Sequence, residues 1–166
     1  YLEEHFDWAG LLVEANPIYS DSLKQRRAQT VIAAVAEAEG YYTFTSAGLY
    51  GGISDRLDRL HESETSKGEE IAVWGTSLSR ILEMGNAPRV IDFISIDVEG
   101  GELPIVEQMC SLSNYRFTCG CIEHNGRRQD LDRMKALLIS SGYPTVWEGF
   151  TGHDLFFVSP RPDQHL

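Results

Sequence analysis

The segment Ile94–Pro104, ISIDVEGGELP, closes an apolar run with three carboxylates, Asp97, Glu99 and Glu102, inside six residues. Asp97 and Glu99 are two apart, so they share a face if the strand continues and bracket a loop if it turns at Val98. Glu102 falls in the first turn of a following helix, where the helix dipole favours an anion with or without a chemical role. The pair Gly100-Gly101 supplies the backbone freedom that such a turn requires. Three kinds of chemistry suit the cluster: hard oxygen ligation of Mg²⁺ or a similar ion, general base catalysis, and binding of a cationic or hydroxyl-rich ligand. A plain turn with a dipole-serving acid accounts for Glu102 well and for Asp97 poorly. A glycosidase pair is disfavoured, because nothing sets a second acid at a defined separation across a cleft.

A second constellation follows in Glu123-His124-Asn125. Glu and Asn offer oxygen ligands, and His is a base or a ligand. His5, His61, His153 and His165 stand in no comparable polar cluster. Glu14 ends the run WAGLLVE, and an acid at the end of a Rossmann-type strand can accept hydrogen bonds from both ribose hydroxyls of an adenosine cofactor. The plainer alternative is a solvated acid near a helix N-terminus. Of the three cysteines, Cys119 and Cys121 lie two apart in FTCGCIE and would share a strand face. One such pair can enter a zinc site, but no second pair is present, so buried strand thiols are the better reading.

The elements that must carry these groups alternate. Trp8–Glu14 reads as a strand, followed by a helix capped by Asn16 with Pro17 at its first position, Ile18 and Leu23 facing inward, and Lys24–Arg27 in its last turn. Thr30–Val35 and Tyr41–Ser46 are strand-like. Residues 47–70 are rich in glycine and then in polar residues, and are expected to form a loop or excursion. Beyond it come an extended piece and a short helix starting near Thr76 and stopping at Gly85. Arg89–Asp97 is the strongest candidate for a central strand, and a helix follows it with Pro104 in its first turn. Phe117–Glu123 is a further strand, and Asp130–Gly142 a helix with Leu131, Met134, Leu137 and Leu138 on one face. Tyr143–Glu148 and Leu155–Val158 are closing strands, expected to be antiparallel. The pattern implies an α/β fold on a largely parallel sheet, whose ligands bind beyond the carboxyl ends of the strands. Glu14, Val35, Asp97 and Glu123 each close a predicted strand.

At 166 residues the chain is read as a single domain, 1–166, with ordinary proportions of hydrophobic (42%) and charged (23%) residues. A formal charge of −11 argues against nucleic acid as a partner. The apolar runs are too short to span a bilayer, and an odd number of unpaired cysteines suits a reducing, cytoplasmic setting.

Taken in order, LLVEANP, AAVAEAEG, FISIDVEGGEL and CIEHNG resemble the FkbM family of S-adenosylmethionine-dependent methyltransferases, with agreement continuing through LLISSGY and GHDLFFV. SIDVEGGEL is the most specific of these motifs. The resemblance implies a class I methyltransferase fold, Rossmann-like, and methyl transfer to a hydroxyl oxygen of a sugar or natural-product-like small molecule. It implies ribose binding by Glu14, with Ala15 and Asn16 beside it, and an adenine flank at Ala34-Val35. Asp97 is implied near the transferred methyl, as both a cofactor-site and a catalytic residue. His124 is a candidate base, and Glu99 and Glu102 complete the candidate catalytic set. By looser analogy with metal-assisted catechol-type methyltransferases, Asp97, Glu123 and Asn125 form a candidate divalent-metal site for an ion such as Mg²⁺. Residues 47–70 and Glu148–Asp154 are expected to select the acceptor.

The sequence departs from the class at its start. YLEEHFDWAG resembles the tail of the first helix of such domains, and no G-x-G precedes Glu14. The first strand and the glycine-rich loop are therefore expected to be missing or truncated, and the sheet to be completed by an upstream segment or by a second copy in a homo-oligomer. The alternatives are a non-catalytic interaction module that has lost S-adenosylmethionine binding, and another nucleotide-using α/β enzyme.

Overall fold

A computed structural model of the chain describes residues 2–57, 60–147, 149–150 and 152–160. Glu148, within the expected acceptor-selecting stretch, and His165 lie outside the described residues. Two compact units emerge. One joins the chain up to Asp55 with Ser63–Ala87, and the other joins Arg56–Glu62 with the chain from Pro88 onward. Among the described residues no helix is long and apolar enough to cross a membrane.

In the first unit, a short helix α1 (Leu2–Phe6) precedes strand β1 (Leu11–Glu14). Asn16 then caps a 3₁₀ turn at Pro17–Tyr19, its side chain accepting from the Ile18 N–H, and helix α2 follows (Ser20–Leu23). The Asn-Pro signal is thus a real helix start, but the helix is short. Ile18 is 73% exposed instead of facing inward, and Lys24–Arg27 lie beyond the last turn instead of within it.

The run Thr30–Val35 divides at Ala33 into β2 (Gln29–Ile32) and β3 (Ala34–Val35). β2 pairs in parallel with β1, whereas β3 joins a second sheet. That sheet has the order β3-β6-β4-β5, with β4 at Gly40–Ser46, β5 at Gly52–Ile53 and β6 at Glu69–Thr76. The expected excursion at 47–70 contains β5 and helix α3 (Glu62–Thr65). Ser77, one residue after the expected Thr76, caps helix α4 (Leu78–Met84) by accepting from the Arg80 N–H, and Gly85 ends it. Val31, Ala33 and Ile81 form one buried cluster, and Ala34, Phe44 and Val73 another.

The second unit carries a four-stranded sheet ordered β7-β8-β10-β9, from β7 (Val90–Ile96), β8 (Arg116–Glu123), β9 (Thr145–Val146) and β10 (Asp154–Val158). Helices α5 (Glu102–Ser111) and α6 (Arg128–Ser140) pack on each other. β7 and β8 run parallel, while β8/β10 and β10/β9 are antiparallel, as the closing strands required. β7, expected to be central, stands at one end of its sheet, with Val90 and Phe93 exposed. Across the described residues three strand pairings are parallel and four antiparallel, so the sheets are mixed and not largely parallel. The architecture is a mixed α/β one.

β8 is an interior strand, paired with β7 on one side and β10 on the other. Gly120 faces Ile94 on β7 and Phe157 on β10, and the Phe157 ring occupies the space a side chain would need. An added Cβ at Gly120 would lie 2.5 Å from Phe157 Cε1 and 2.8 Å from Ile94 Cγ2. Phe157 is itself buried and meets Tyr143 edge-on at 5.3 Å. Gly120→Ala is expected to destabilise the fold by about 1–3 kcal/mol through overpacking. The check is a lower midpoint of chemical denaturation at unchanged slope. An unchanged midpoint would mean that Phe157 turns aside freely.

Candidate active site

The site in the second unit follows from strand register. Ile96 lies opposite Ile122 in the parallel β7/β8 pair, so the next residues, Asp97 and Glu123, emerge side by side at the carboxyl ends. β10 enters from the other side of β8 with Asp154 directly opposite Glu123. Three carboxylates from three adjacent strands therefore meet at one end of the sheet. Asp97 and Glu123 bring carboxylate oxygens within 4.8 Å of each other.

Behind Asp97 the chain turns sharply. Glu99 takes a left-handed conformation (φ 57°) and Gly100 has φ 127°, a region that side chains other than glycine's rarely enter. Glu102, with no exposed surface, holds this turn. Its Oε1 accepts from the Val98 N–H at 3.1 Å and the Gly100 N–H at 3.0 Å, and its Oε2 receives the Arg127 guanidinium. After β8 a second turn uses Asn125 (φ 48°) and Gly126 (φ 73°). There the Asn125 Nδ2 donates to Glu123 Oε2 at 2.8 Å, and the Gly126 N–H donates to His124 Nδ1 at 3.1 Å.

Crowding sets the protonation. Burial, then the Asp97 charge, then Glu99, push Glu123 up to about 8. Asp97 is also raised, by desolvation and by the charges of Glu102 and Asp154, while its hydrogen bond with Glu123 pulls it back. At neutral pH Glu123 therefore keeps a proton that an ordinary glutamate would have released. Burial lowers His124; the Asp154 charge opposes this, and His153, Lys135 and Arg127 add smaller lowering contributions. The ring is neutral, with Nδ1 accepting from Gly126 and the proton on Nε2. Cys119 and Cys121 are free thiols on β8, and Cys121 is pushed up to about 11 by burial and by Asp154, so it stays protonated.

A cavity of about 500 Å³ adjoins these groups, lined by Arg56, Leu57, Leu60, Gly100, Asn125, Arg127 and Asp130. Three of these residues come from the stretch expected to select the acceptor. Asp97, Glu102 and Glu123 each place an oxygen within 4.8 Å of the others, close enough to share a cation. Glu102 has its oxygens committed to backbone N–H groups and Arg127, so Asp97 and Glu123 are the two groups suited to a hard ion that keeps most of its water.

Of the sequence-derived cofactor residues, Glu14, Ala15, Asn16, Ala34 and Val35 lie in the first unit and Asp97 in the second. Glu14 ends β1, and its Oε1 accepts from the Asn16 N–H at 2.6 Å. Asn16 is buried and donates from Nδ2 to Ser46 Oγ at 2.9 Å. Ala15 packs against the cluster that contains the buried Ala34, and Val35 packs against the cluster of Val31, Ala33 and Ile81. The residues near Glu14 thus form a local group, as do Asp97, Glu99, Glu102, Glu123, His124 and Asn125 in the second unit.

The chain matches the family model described as the methyltransferase FkbM domain over residues 1–145. It belongs to the FkbM methyltransferase domain family. No curated protein and no solved structure gives a significant match. The matched segment spans every candidate catalytic, cofactor and metal residue read from the sequence, and it ends before the expected acceptor-selecting stretch Glu148–Asp154. Arg127 is the member of this site that the sequence reading did not single out, and Asp154 was named only within the acceptor-selecting stretch Glu148–Asp154 and not beside Glu123. An antiparallel pairing of GHDLFFV with Phe117–Glu123 would have placed Asp154 at the tip. Arg127, in NGRR, has the look of a solvated turn residue.

The raised Glu123 makes stability depend on pH. Unfolded, Glu123 ionises near 4.5, and folded near 8. Between these values the folded state holds a proton that the unfolded state has released, so stability falls as pH rises through this window. Glu123→Gln keeps a hydrogen-bond donor toward Asp97 and removes the titration. Its Tm relative to the unsubstituted protein is expected to be higher at pH 8.5 than at pH 5. Equal differences at both values would place the proton elsewhere.

Proposed function

We propose that the FkbM domain transfers a methyl group from S-adenosylmethionine to a hydroxyl oxygen of a small acceptor, sugar-like or natural-product-like, on a Rossmann-like fold of class I type. The observation that carries the reading is the meeting of Asp97 and Glu123 at adjacent strand ends, with Gly100, Asn125 and Arg127 of the turns that follow them lining a cavity of about 500 Å³. S-adenosylmethionine supplies an electrophilic methyl on a sulfonium. Glu14 fits its ribose, since a carboxylate with one backbone hydrogen bond keeps capacity for hydroxyl donors.

The chain's own chemistry is the handling of one proton. Asp97, its proton affinity raised first by desolvation, receives the proton of the acceptor hydroxyl as oxygen attacks carbon. Glu123, protonated, donates to Asp97 and keeps the pair from carrying two adjacent charges. His124 stays neutral with Nδ1 occupied, which suits an Nε2 donor better than a base. Asn125 orients Glu123. A divalent ion, where used, would be held by Asp97 and Glu123 and would lower the hydroxyl pKa. Arg56, Leu57 and Leu60 are the proposed acceptor contacts.

Calorimetry with S-adenosylmethionine and its demethylated product, together with turnover on a panel of hydroxylated acceptors, tests the reading. Glu14→Ala is expected to weaken cofactor binding about tenfold, the value of one charged hydrogen bond. Asp97→Asn is expected to lower turnover by about 10²–10⁴-fold with cofactor affinity little changed. Equal activity in Asp97→Asn and the unsubstituted protein would reject Asp97 as the proton acceptor. Absence of cofactor binding would favour a non-catalytic interaction module. Activity untouched by chelation would remove the ion.

A further inference from the structure

We propose that Glu102 and Arg127 act together as a positioning pair, fixing the tips of β7 and β8 so that Asp97 and Glu123 meet in one geometry. Glu102 opens α5, where an acid needs no burial to serve the helix dipole, yet it has no exposed surface. Burying a carboxylate completely is costly and is tolerated only where donors satisfy it. The donors come from two different loops. Oε1 takes the Val98 and Gly100 N–H groups of the turn that carries Asp97. Oε2 takes the guanidinium of Arg127 from the turn that follows Glu123.

Arg127 is tied to the β8 tip in its own right. Its Nε donates to the His124 carbonyl at 3.2 Å, its backbone N–H donates to the same oxygen at 2.9 Å, and it lies 3.7 Å from Asp130 on α6. A continuous path therefore runs from the Val98–Gly100 backbone through Glu102 and Arg127 to the residue beside Glu123. The turn it holds contains Glu99 in a left-handed conformation, which persists only where its surroundings over-determine it. Glu102, a catalytic candidate on sequence grounds, acts here through Asp97 and not on a substrate.

For its activity arm the inference rests on the methyl-transfer reading, so the test includes an arm that does not. Amide hydrogen exchange at Val98 and Gly100 is measured by NMR in the full chain alongside kcat and KM. In Arg127→Met both amides are expected to exchange about tenfold or more faster, as a locally opened turn would. kcat is expected to fall about 10²-fold with KM for S-adenosylmethionine nearly unchanged, the signature of misplaced reacting groups. Adding Glu102→Gln to Arg127→Met removes the unpaired buried charge and restores Tm, but kcat stays low because nothing rejoins the two loops. Arg127→Lys retains the charge and loses the Nε bond to His124. It gives a folded variant with the same direction of change should the Met variant fail to fold. Unchanged exchange in these variants, or kcat recovering together with Tm in the double variant, would reduce Arg127 to a counter-ion and overturn the proposal. If the unsubstituted protein transfers no methyl group, the methyl-transfer reading fails while the exchange rates still decide the positioning role.

Discussion

A carboxylate shut away from water forces everything around it to take up defined places, and in this domain that carboxylate is Glu102. Its two oxygens take donors from a turn, Val98 and Gly100, and from an arginine beyond the next strand, Arg127. Removing any donor leaves a buried acceptor unsatisfied, at about 1–3 kcal/mol for a neutral partner and more for a charged one. The two loops at the carboxyl end of β7 and β8 are therefore not independent. Asp97 and Glu123, the last residues before those loops diverge, inherit their relative placement from a group that neither of them touches in sequence.

The crowding that follows is managed by protonation. Burial and the charges of Glu102 and Asp154 raise Asp97, and burial and the charges of Asp97, Glu99 and Glu102 raise Glu123. Arg127 offsets Glu102, and the proton kept by Glu123 removes one charge beside Asp97. Strand pairing makes this unavoidable, because β8 is hydrogen-bonded on both sides and its register with β7 and β10 brings three acids to one level. Gly120 permits Phe157 to lie across β8 and thus belongs to the same construction, although it is distant in kind from any chemistry.

Much of this was legible in the sequence because it depends on short-range signals. The apolar run ending at Asp97, the glycine pair after it and the acid at a helix start are read within ten residues, and so is the Asn16-Pro17 cap. The amphipathic pattern of Asp130–Gly142 gave α6, whose buried residues Met134 and Leu138 lie on the expected face. What failed depends on partners elsewhere in the chain. Val90–Ile96 is apolar enough to be a central strand, yet order within a sheet is a property of all its strands, and β7 stands at an end. Thr30–Val35 reads as one strand, but Ala33 bonds to the Glu14 carbonyl while Ala34 and Val35 turn to β6, so one run serves two sheets. Arg127 was missed because a charged residue in a turn is usually solvated, and Asp154 was read only as part of an acceptor-selecting stretch because its place beside Glu123 depends on the register of β10 with β8.

The arrangement also explains why acids, and not a histidine, would carry the proton. His124 is buried, and its Nδ1 is taken by the Gly126 N–H. A buried imidazole resists the charge a base must acquire. Asp97 faces the opposite situation, since its neighbours disfavour its charge and gaining a proton relieves that repulsion. An ordinary aspartate near pKa 4 is a weak base toward a hydroxyl, and each increment upward strengthens it while it remains ionised at neutral pH. Glu123 goes further and is itself the protonated partner. On the methyl-transfer reading, the desolvation and neighbouring charges that raise Asp97 would strengthen it as a base, and Glu102 and Arg127 would hold that cluster in place. Relaxing that cluster would be expected to stabilise the fold and weaken the base together, a coupling common where strain is retained at functional sites.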